Sequence, residues 1–375
     1  MTSLPSEPDE GPTAVCVGES MAVLLPEQPG PLEDVARFHR GVGGAESNVA
    51  CGLAALGVSA AWISRVGDDG FGRLLLSELT QRGVDTSAVE IDPRRATGLY
   101  VKEVGGRTGS PHDLGPEVSR LHYYRIGSAA SALSPETLNK PAAAQMLAST
   151  HLVHLSGITA AMGRLSGQDG GRRLVEAVLE QRRPGQLVSF DLNWRPRVWQ
   201  EPESAAGVQT ESDSSEPARI LSELANRADV VLLGADEAVE VFGTGDPYRL
   251  RALLPDPRIL VVKDAGRGAI AFDKNDGGAA VVEPALRVEV VESIGAGDAF
   301  AAGYLTGLLR GHDQPERLRL GHICAAAALM VHGDHGPPPS PEVINALLTS
   351  STSQWAATSA SAGTFASPAL AVGAS

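Results

Sequence analysis

The sequence predicts an α/β fold with a mostly parallel central sheet and a small β lid. Short apolar runs of β-forming residues alternate with segments of helical periodicity along most of the 375-residue chain, which is typical of a parallel sheet. Between Thr97 and Arg125 the alternation stops, and two β-forming runs follow each other across a Gly/Pro-rich connection. We interpret these runs as an antiparallel excursion. We expect the lid to be formed from about 30–42 and 97–126.

The elements before this excursion alternate regularly. AVCVG at 14–18 predicts a short strand, and SAAWISRV at 59–66 predicts another. The spacing of apolar residues predicts helices over 45–56 and 70–82, and each of them ends at a glycine, which is a helix-stop signal.

The alternation resumes after the lid, and the turn-rich run KNDGG predicts a hairpin late in the chain. The predicted strands are 151–155, 187–191, 229–233, 259–263, the hairpin pair 268–273 and 279–284, and 287–292. The predicted helices are 168–182, 219–226, 235–242, 298–310 and 315–331.

Composition separates the core of the chain from two terminal segments and one internal insertion. Polar residues dominate 1–12, which we interpret as a flexible N-terminal arm. The acidic, Ser-rich stretch 201–217 and the Ser/Ala-rich tail 349–375 lack apolar periodicity, and we expect both to be disordered. The core, 13–348, is predicted to form one domain.

Charge and composition argue against several classes of function. The formal net charge of −14 is unfavourable for a surface that binds nucleic acid or anionic lipid. The first ten residues are polar and acidic, unlike a secretory signal, and no apolar run approaches the ~20 residues needed to cross a membrane. Neither the three cysteines nor the histidines have the spacing of metal ligands. We therefore expect a cytoplasmic protein that binds neither nucleic acid nor membranes.

Two glycines precede the first predicted helix in GVGGAESNVACGLAALG. Gly43 and Gly44 remove side chains where the chain turns into the helix, so a ligand could approach the backbone. Ser47 and Asn48 follow in the first turn. A tight turn without a ligand would need the same glycines, and the motif alone leaves both interpretations open.

DLNWRPRVW follows a predicted strand, and ligands of open α/β sheets bind beyond the carboxyl ends of the strands. Asp191, Asn193 and Arg195 alternate there, so their side chains can point toward one crevice. Arg195 could hold a carboxylate or a phosphate through two hydrogen bonds. The alternative is an ordinary surface loop with Trp194 and Trp199 packed beneath it.

ESIGAGDAFAAGYLTG combines small residues and an aspartate at a predicted helix start. Gly295, Ala296 and Gly297 expose backbone N–H groups at the helix N-terminus, where the helix dipole favours an anion such as a phosphoryl group. Asp298 is placed to accept a proton from an attacking hydroxyl. A simple N-cap is the alternative, but capping needs no small residues on both sides.

In this order, and with the excursion between them, the motifs resemble the ribokinase-like (PfkB) family of sugar and nucleoside kinases. Residues 41–65 resemble its N-terminal signature and 291–304 its C-terminal signature, and the resemblance covers about 14–345. It implies a ribokinase-like three-layer α/β/α fold, with ATP and Mg²⁺. VGGAESNVA, TGLYVKE, YYRIGSAASAL, HLSGIT, DLNWRPRVW and HGDHG resemble the branch that phosphorylates the 6-hydroxyl of the acid sugar 2-keto-3-deoxygluconate.

The resemblance also implies roles for single residues. Asp298 would be the catalytic base, beside an anion hole formed by the backbone of Gly295, Ala296 and Gly297. The acid sugar would contact Asp298 together with Gly43, Gly44, Asn48, Tyr100, Tyr123, Arg125, Asn193 and Arg195. ATP would contact Lys263, Gly266, Gly268, Gly295 and Gly297, and Glu237 would act on Mg²⁺ through water.

The chain departs from the family pattern at a few positions. Ala265 replaces the first glycine of the Lys-x-Gly-x-x-Gly turn, and Gly234 replaces a polar residue three positions before Glu237. Glu292 and Ser293 stand where the family has an aspartate and a threonine that often help to hold a monovalent cation. A requirement for K⁺ therefore stays open.

Other functions are compatible with these residues. A fructokinase or ribokinase of the same family would act on a neutral sugar, which leaves Arg125 and Arg195 without a carboxylate partner. A non-catalytic sugar or nucleotide sensor would account for the departures, but not for the intact Asp298. We also expect the lid to pair with that of a second copy, giving a homo-oligomer without an exposed sheet edge.

Overall fold

The computed structural model describes residues 13–116, 118–199 and 211–370. The predicted N-terminal arm, 1–12, lies outside the described residues, and so does the 201–210 part of the predicted insertion. Within the described ranges, no helix combines the length and the apolar character needed to cross a membrane.

The described part of the chain forms the following strands and helices. The strands are β1 Ala14–Val17, β2 Met21–Pro26, β3 Phe38–Gly43, β4 Ala60–Ile63, β5 Arg65–Gly67, β6 Val84–Asp85, β7 Glu90–Asp92, β8 Leu99–Val104, β9 Ser119–Tyr124, β10 Leu152–Ser156, β11 Leu187–Asp191, β12 Val230–Gly234, β13 Ile259–Asp264, β14 Gly268–Asp273, β15 Ala280–Pro284, β16 Arg287–Val288, β17 Ser359–Ser361 and β18 Thr364–Ala366. The helices are α1 Ala45–Ala55, α2 Gly70–Gln81, α3 Pro135–Leu138, α4 Pro141–Ser149, α5 Gly157–Ala161, α6 Gly170–Gln181, α7 Pro196–Trp199, α8 Glu211–Arg227, α9 Ala235–Phe242, α10 Pro247–Leu253, α11 Ala296–Leu309, α12 Gln314–Leu329, α13 Pro341–Leu348 and α14 Thr352–Ala356.

Nine strands form the central sheet, in the order β15-β14-β13-β12-β11-β10-β1-β4-β6. The strands from β13 to β6 are parallel, and the hairpin β14–β15 adds two antiparallel strands at one edge. Alternate residues of β1 enter different apolar cores: Ala14 and Cys16 pack on one side of the sheet, and Val15 and Val17 pack on the other. Burial of both faces is typical of a parallel sheet covered by helices. The predicted three-layer fold with a mostly parallel sheet is confirmed.

The lid is a four-stranded sheet in the order β3-β2-β8-β9. β2 is antiparallel to β3 and parallel to β8, and β8 is antiparallel to β9. The predicted lid ranges miss β2, which carries the chain straight from the end of β1 into the lid. Its sequence, MAVLLP, is apolar throughout and lacks the alternation that marks a strand exposed on one face.

Three predictions about the chain are wrong in part. The predicted disordered tail forms α14, β17 and β18 over 352–366. The predicted insertion is helical over 211–217, where the acidic residues of the sequence suit the first turns of a helix because their negative charge offsets its dipole. RVEVVE is a strand only over Arg287–Val288, and it pairs with β17 instead of with the central sheet.

Candidate active site

A cleft of about 1250 Å³ opens at the carboxyl ends of the central strands, with lid residues on one side of it. β11 and β12 end in residues that line the cleft, Asp191 and Gly234, and Lys263 lines it one residue before the end of β13. The structure brings all residues that we singled out as site candidates to this cleft: Gly43, Gly44, Asn48, Tyr100, Tyr123, Arg125, Asn193, Arg195, Glu237, Lys263, Gly266, Gly268, Gly295, Ala296, Gly297 and Asp298.

The carboxylate of Asp298, in the first turn of α11, is held by two side-chain amides. Asn48 Nδ2 donates to its Oδ2 at 2.8 Å, and Asn193 Nδ2 donates to its Oδ1 at 3.3 Å. The Asn48 amide is oriented in turn by the Gly44 N–H, which donates to Asn48 Oδ1 at 3.4 Å. Asn193 has a φ of 38°, in the left-handed region that asparagine tolerates better than most residues. The two asparagines thus fix the direction of the carboxylate.

The environment of Asp298 suits proton transfer near neutral pH. Burial raises its pKa to about 7. The hydrogen bond from Asn48 lowers this pKa, whereas the neighbouring charge of Asp191 raises it. A general base is most effective when its pKa is close to the working pH. The carboxyl group is therefore tuned by its surroundings to accept and release a proton.

Gly295 makes the turn into α11 possible. Its φ is 79°, and a Cβ atom there would lie 2.5 Å from the backbone oxygen of Asp334. No other residue type fits both the conformation and this close approach without strain. The first N–H groups of α11 have no acceptor within the helix, so they are available to an anion in the cleft.

Asp334 is a site residue that we did not predict. Its Oδ2 accepts hydrogen bonds from Asn48 Nδ2 at 3.3 Å and from Tyr100 Oη at 3.5 Å. A Cβ atom on Gly43 would lie 2.3 Å from the same oxygen, so that glycine provides the space for the carboxylate. The sequence feature that could have identified this residue is the run HGDHG at 332–336, which places an aspartate between glycines.

Two tyrosines of the lid form an aromatic wall of the cleft. Tyr100 on β8 and Tyr123 on β9 are directly paired across the antiparallel ladder, with ring centroids 5.6 Å apart. Burial raises the pKa of both hydroxyl groups, so they remain protonated and can donate hydrogen bonds. Their position gives the lid an aromatic surface with polar ends against a bound ligand.

The structure places Arg125 at the cleft but pairs it with an acidic partner. Its guanidinium forms an ion pair with Glu19, and Nη2 also lies 3.0 Å from Met162 Sδ. Glu19 accepts a further hydrogen bond from Ser128 Oγ at 3.0 Å. Because Arg125 and Glu19 are both buried, the pair holds the base of the lid together. Only part of the guanidinium is left to meet a substrate carboxylate.

Arg195 lies at the mouth of the cleft with half of its side chain exposed. Its Nη1 donates to the backbone oxygen of Trp194 at 2.8 Å and to Glu237 Oε1 at 3.1 Å. Trp194 and Trp199 stack beneath the loop, with ring centroids 6.2 Å apart. The tryptophans therefore pack below the loop, while the Arg195 side chain lines the cleft.

At the other end, the cleft has features that fit a nucleoside triphosphate and Mg²⁺. Lys263 Nζ donates to Asp191 Oδ2 at 2.8 Å and would lie 3.6 Å from a Cβ atom placed on Gly297, in the first turn of α11. Glu237 Oε2 accepts the Gly234 N–H at 3.1 Å, and its carboxylate keeps lone pairs for a metal-bound water. Mg²⁺ commonly takes one or two carboxylates together with phosphate oxygens and water. Among the described residues, no cluster of three or more His, Cys, Asp or Glu side chains could hold a metal.

The departure at Ala265 has a structural consequence. Ala265 has a φ of 44°, a left-handed conformation that costs an alanine about 1–2 kcal/mol relative to a glycine. Gly268 does require a glycine, because its φ is 144° and a Cβ there would lie 2.5 Å from the Glu283 backbone oxygen. The turn therefore keeps its conformation despite the alanine.

The residues around Glu292 do not fit a monovalent cation. Its Oε1 forms an ion pair with Lys102 of the lid, and its Oε2 accepts the Gly333 N–H at 3.2 Å. His332 Nδ1 lies 3.8 Å from the same Oε2. The Lys102 ammonium therefore already supplies the positive charge that a bound cation would bring to this carboxylate.

Comparison with known proteins agrees with this geometry. The model of the pfkB family of carbohydrate kinases matches residues 12–341. The chain is 34% identical to the 2-dehydro-3-deoxygluconokinase of Thermoproteus tenax over 337 residues, which are 89% of this chain and 93% of the relative. It is 32% identical to the enzyme of the same name from Bacillus subtilis (strain 168), over 90% of this chain and 95% of the relative.

Solved structures share the fold. A PfkB protein from Polaromonas sp. JS666 superposes with a TM-score of 0.72 at 30% identity, covering 89% of this chain and 99% of that one. The 2-dehydro-3-deoxygluconokinase of Thermotoga maritima superposes with a TM-score of 0.70 at 21% identity, covering 90% and 99%. The cleft, the GAGD helix start and these matches together assign the chain to the pfkB family of carbohydrate kinases.

Proposed function

We propose that the chain phosphorylates 2-keto-3-deoxygluconate, also called 2-dehydro-3-deoxygluconate, at its 6-hydroxyl with ATP. The observation that carries the proposal is the Asp298 carboxylate, which is fixed by two asparagines and has a pKa of about 7 beside free helix N–H groups. The names of the relatives from T. tenax and B. subtilis support the choice of sugar.

In this proposal Asp298 accepts the proton of the sugar 6-hydroxyl. At the same time the hydroxyl oxygen, O6, attacks the γ-phosphorus of ATP. The new bond joins O6 to phosphorus, the bond to the β–γ bridging oxygen breaks, and ADP leaves with that electron pair. The N–H groups at the start of α11 and the Lys263 ammonium stabilise the charge that develops on the phosphoryl oxygens. Mg²⁺, when bound, would neutralise charge on the phosphates from the side of Glu237.

The acid sugar would lie between the aromatic wall and Arg195. A carboxylate pairs well with a guanidinium that has free N–H groups, and half of the Arg195 side chain is exposed at the cleft. The Asp334 carboxylate offers an acceptor for sugar hydroxyls near Asp298. A neutral sugar could not form this ion pair with the arginine.

The proposal is tested by a coupled ADP-release assay on the purified chain. The substrates are 2-keto-3-deoxygluconate, its galactonate epimer, fructose and ribose, each with wild type and with Arg195→Ala. We expect turnover of the acid sugars and a rise of about tenfold or more in their KM in Arg195→Ala. Equal turnover of fructose or ribose, unaffected by the substitution, would favour the other sugar kinases of the family. Nucleotide binding without turnover of any of these sugars would favour a sensor.

We further propose that activity does not require K⁺, because the Lys102 ammonium already neutralises Glu292. The kinase rate should be the same, within about twofold, in K⁺, Na⁺ and tetramethylammonium salts at equal ionic strength. Lys102→Met leaves Glu292 without this partner and is expected to lower the rate in all three salts. A strong preference of wild type for K⁺ would contradict this part of the proposal.

We also propose that two copies pair through their lids. β9 is an edge strand of the lid sheet, and Val118, Tyr124 and Ile126 expose about half or more of their surface beside it. Exposed edge strands with apolar side chains are stabilised when another chain covers them. A second copy offers the same apolar edge, as a symmetric dimer requires.

A further inference from the structure

The C-terminal segment 351–367 is attached to the strand that leads toward α11. β17 runs parallel to β16, with Val288 opposite Ala360, and the Glu289 N–H donates to the Ala360 backbone oxygen at 3.0 Å. The match to the family model ends at residue 341, before this segment begins. The attachment therefore belongs to a part of the chain that the family match does not cover.

Trp355 anchors the segment from the other side. Its side chain is 1% exposed, and its Nε1 donates to the Pro284 backbone oxygen at 2.9 Å. The indole ring packs against His322, with centroids 6.4 Å apart, and the Arg319 guanidinium lies 5.1 Å from the ring centroid. The C-terminal segment thus holds the stretch 284–289 at both ends.

The stretch 284–289 and the helix α12 form one end of the cleft. The side chains that line this end of the cleft are mostly apolar. They are Leu286, Val288, Ala325, Ala326 and Leu329, together with His322. Burial lowers the pKa of His322 to about 4, so its ring is uncharged at neutral pH. An apolar slot with a neutral aromatic ring suits a flat heteroaromatic base, whereas the polar end near Asp298 suits the sugar and the phosphates.

We propose that the C-terminal segment is a positioning element for the nucleotide, with Trp355 as its anchor. It forms the layer behind the base-binding wall and holds β16 and His322 in place before the nucleotide arrives. The inference rests on the proposed kinase function, and it adds that ATP affinity depends on a segment outside the cleft. A wall that is ordered in advance strengthens binding because less ordering is needed when the ligand arrives.

The test measures nucleotide binding and the two KM values in the full chain with Trp355→Ala and Trp355→Phe. Calorimetry with a non-hydrolysable ATP analogue should show about tenfold weaker binding in Trp355→Ala, with a smaller loss in Trp355→Phe, which keeps ring packing but not the bond to Pro284. The KM for ATP should rise in parallel, while the KM for the acid sugar stays within about twofold of wild type.

Trp62→Phe is the matched control. Trp62 is also fully buried, but it lies on β4 in the apolar core and does not line the cleft. This variant should lose thermal stability without losing affinity for the analogue. If Trp355→Ala does not fold, the comparison of Trp355→Phe with Trp62→Phe decides the question by the same readouts.

Unchanged analogue affinity in the folded Trp355 variants would overturn the proposal, and so would an equal rise of both KM values. A wild-type chain that binds the analogue but phosphorylates no acid sugar refutes the proposed function alone, because the binding comparison still tests the segment. A wild-type chain that does not bind the analogue refutes both.

Discussion

Burial and hydrogen bonding act in opposite directions on the carboxyl group of Asp298. Burial favours the neutral form and raises the pKa, whereas the amides of Asn48 and Asn193 favour the charged form. The balance leaves a group that is largely protonated in mild acid and ionised in mild base. A residue with this titration can take up the hydroxyl proton at the pH at which most cells work.

The pH dependence of activity follows from this pKa. We expect kcat/KM for the acid sugar to rise with pH through about 7 and to level off above it, because only the ionised Asp298 acts as a base. A pH–rate profile of kcat/KM in buffers of constant ionic strength measures the pKa of this inflection. A profile without an inflection in this range would contradict the assignment of the base.

Whereas activity should rise with pH, the contribution of Asp298 to folding stability should fall with pH. The pKa of Asp298 is raised from 3.8 to about 7 on folding, so the folded chain binds the proton more tightly than the unfolded chain. The stability that this proton contributes is present below about pH 4 and is lost as the pH rises through 7. We expect Asp298→Asn to melt at a higher temperature than wild type at about pH 8, and the difference to shrink toward about pH 5.

Single residues of the site differ in how well the sequence predicts them. Asp298 and Asn48 stand in motifs whose spacing fixes their place at a helix start. Asp334 and the pair Lys102–Glu292 come from segments far apart in the chain, and only the folded lid brings them together. No local pattern records such contacts, because their partners lie nearly 200 residues or more away.

At the scale of elements, the start of α11 depends on one glycine. Gly295→Ala forces a Cβ to within 2.5 Å of the Asp334 backbone oxygen in a left-handed conformation, and should cost about 1–3 kcal/mol of unfolding free energy. Because the strain moves both Asp334 and Asp298, we also expect a loss of activity. Denaturant unfolding and the ADP-release assay measure these two effects.

Gly70→Ala is the control for this substitution. Gly70 also stands at the start of a helix, α2, but a Cβ there meets no atom within 4 Å. It should change the unfolding free energy by less than about 1 kcal/mol and leave activity intact. Similar behaviour of the two alanine variants would mean that α11 tolerates a side chain at its start.

The elements differ in predictability for a physical reason. The central strands are continuous apolar runs bounded by turns, and β11 and α9 have the predicted bounds. The C-terminal elements are short and rich in Ser, Ala and Thr, and α14 is held by one buried residue, Trp355. Composition reflects the average polarity of all residues in such a segment. Whether the segment folds depends on the burial of one side chain, Trp355.

At the scale of the whole molecule, a chain with a net charge of −14 must bind two anionic substrates. It holds Lys263, Arg125 and Arg195 in the cleft, each paired with a carboxylate, and places them beside the N-terminus of α11, whose dipole favours anions. The cationic groups needed for these substrates are thus concentrated in the cleft, while the chain as a whole stays acidic.

The lid should also determine the oligomeric state. We expect light scattering after size-exclusion chromatography to give the mass of a dimer, and Tyr124→Asp to give a monomer because it places a charge on the exposed lid edge. Ile91→Asp introduces the same charge at another exposed apolar residue, on β7 outside the lid, and should leave the dimer unchanged. A wild-type monomer would contradict the proposed pairing.

The most direct test of the account compares wild type and Asp298→Asn in the ADP-release assay with 2-keto-3-deoxygluconate. The substitution keeps the size of the side chain but removes the base, so we predict a fall in kcat of about 100-fold or more with nucleotide affinity unchanged. Wild-type activity that survives the substitution would contradict the account, since the chemistry would then not depend on the carboxylate at the start of α11.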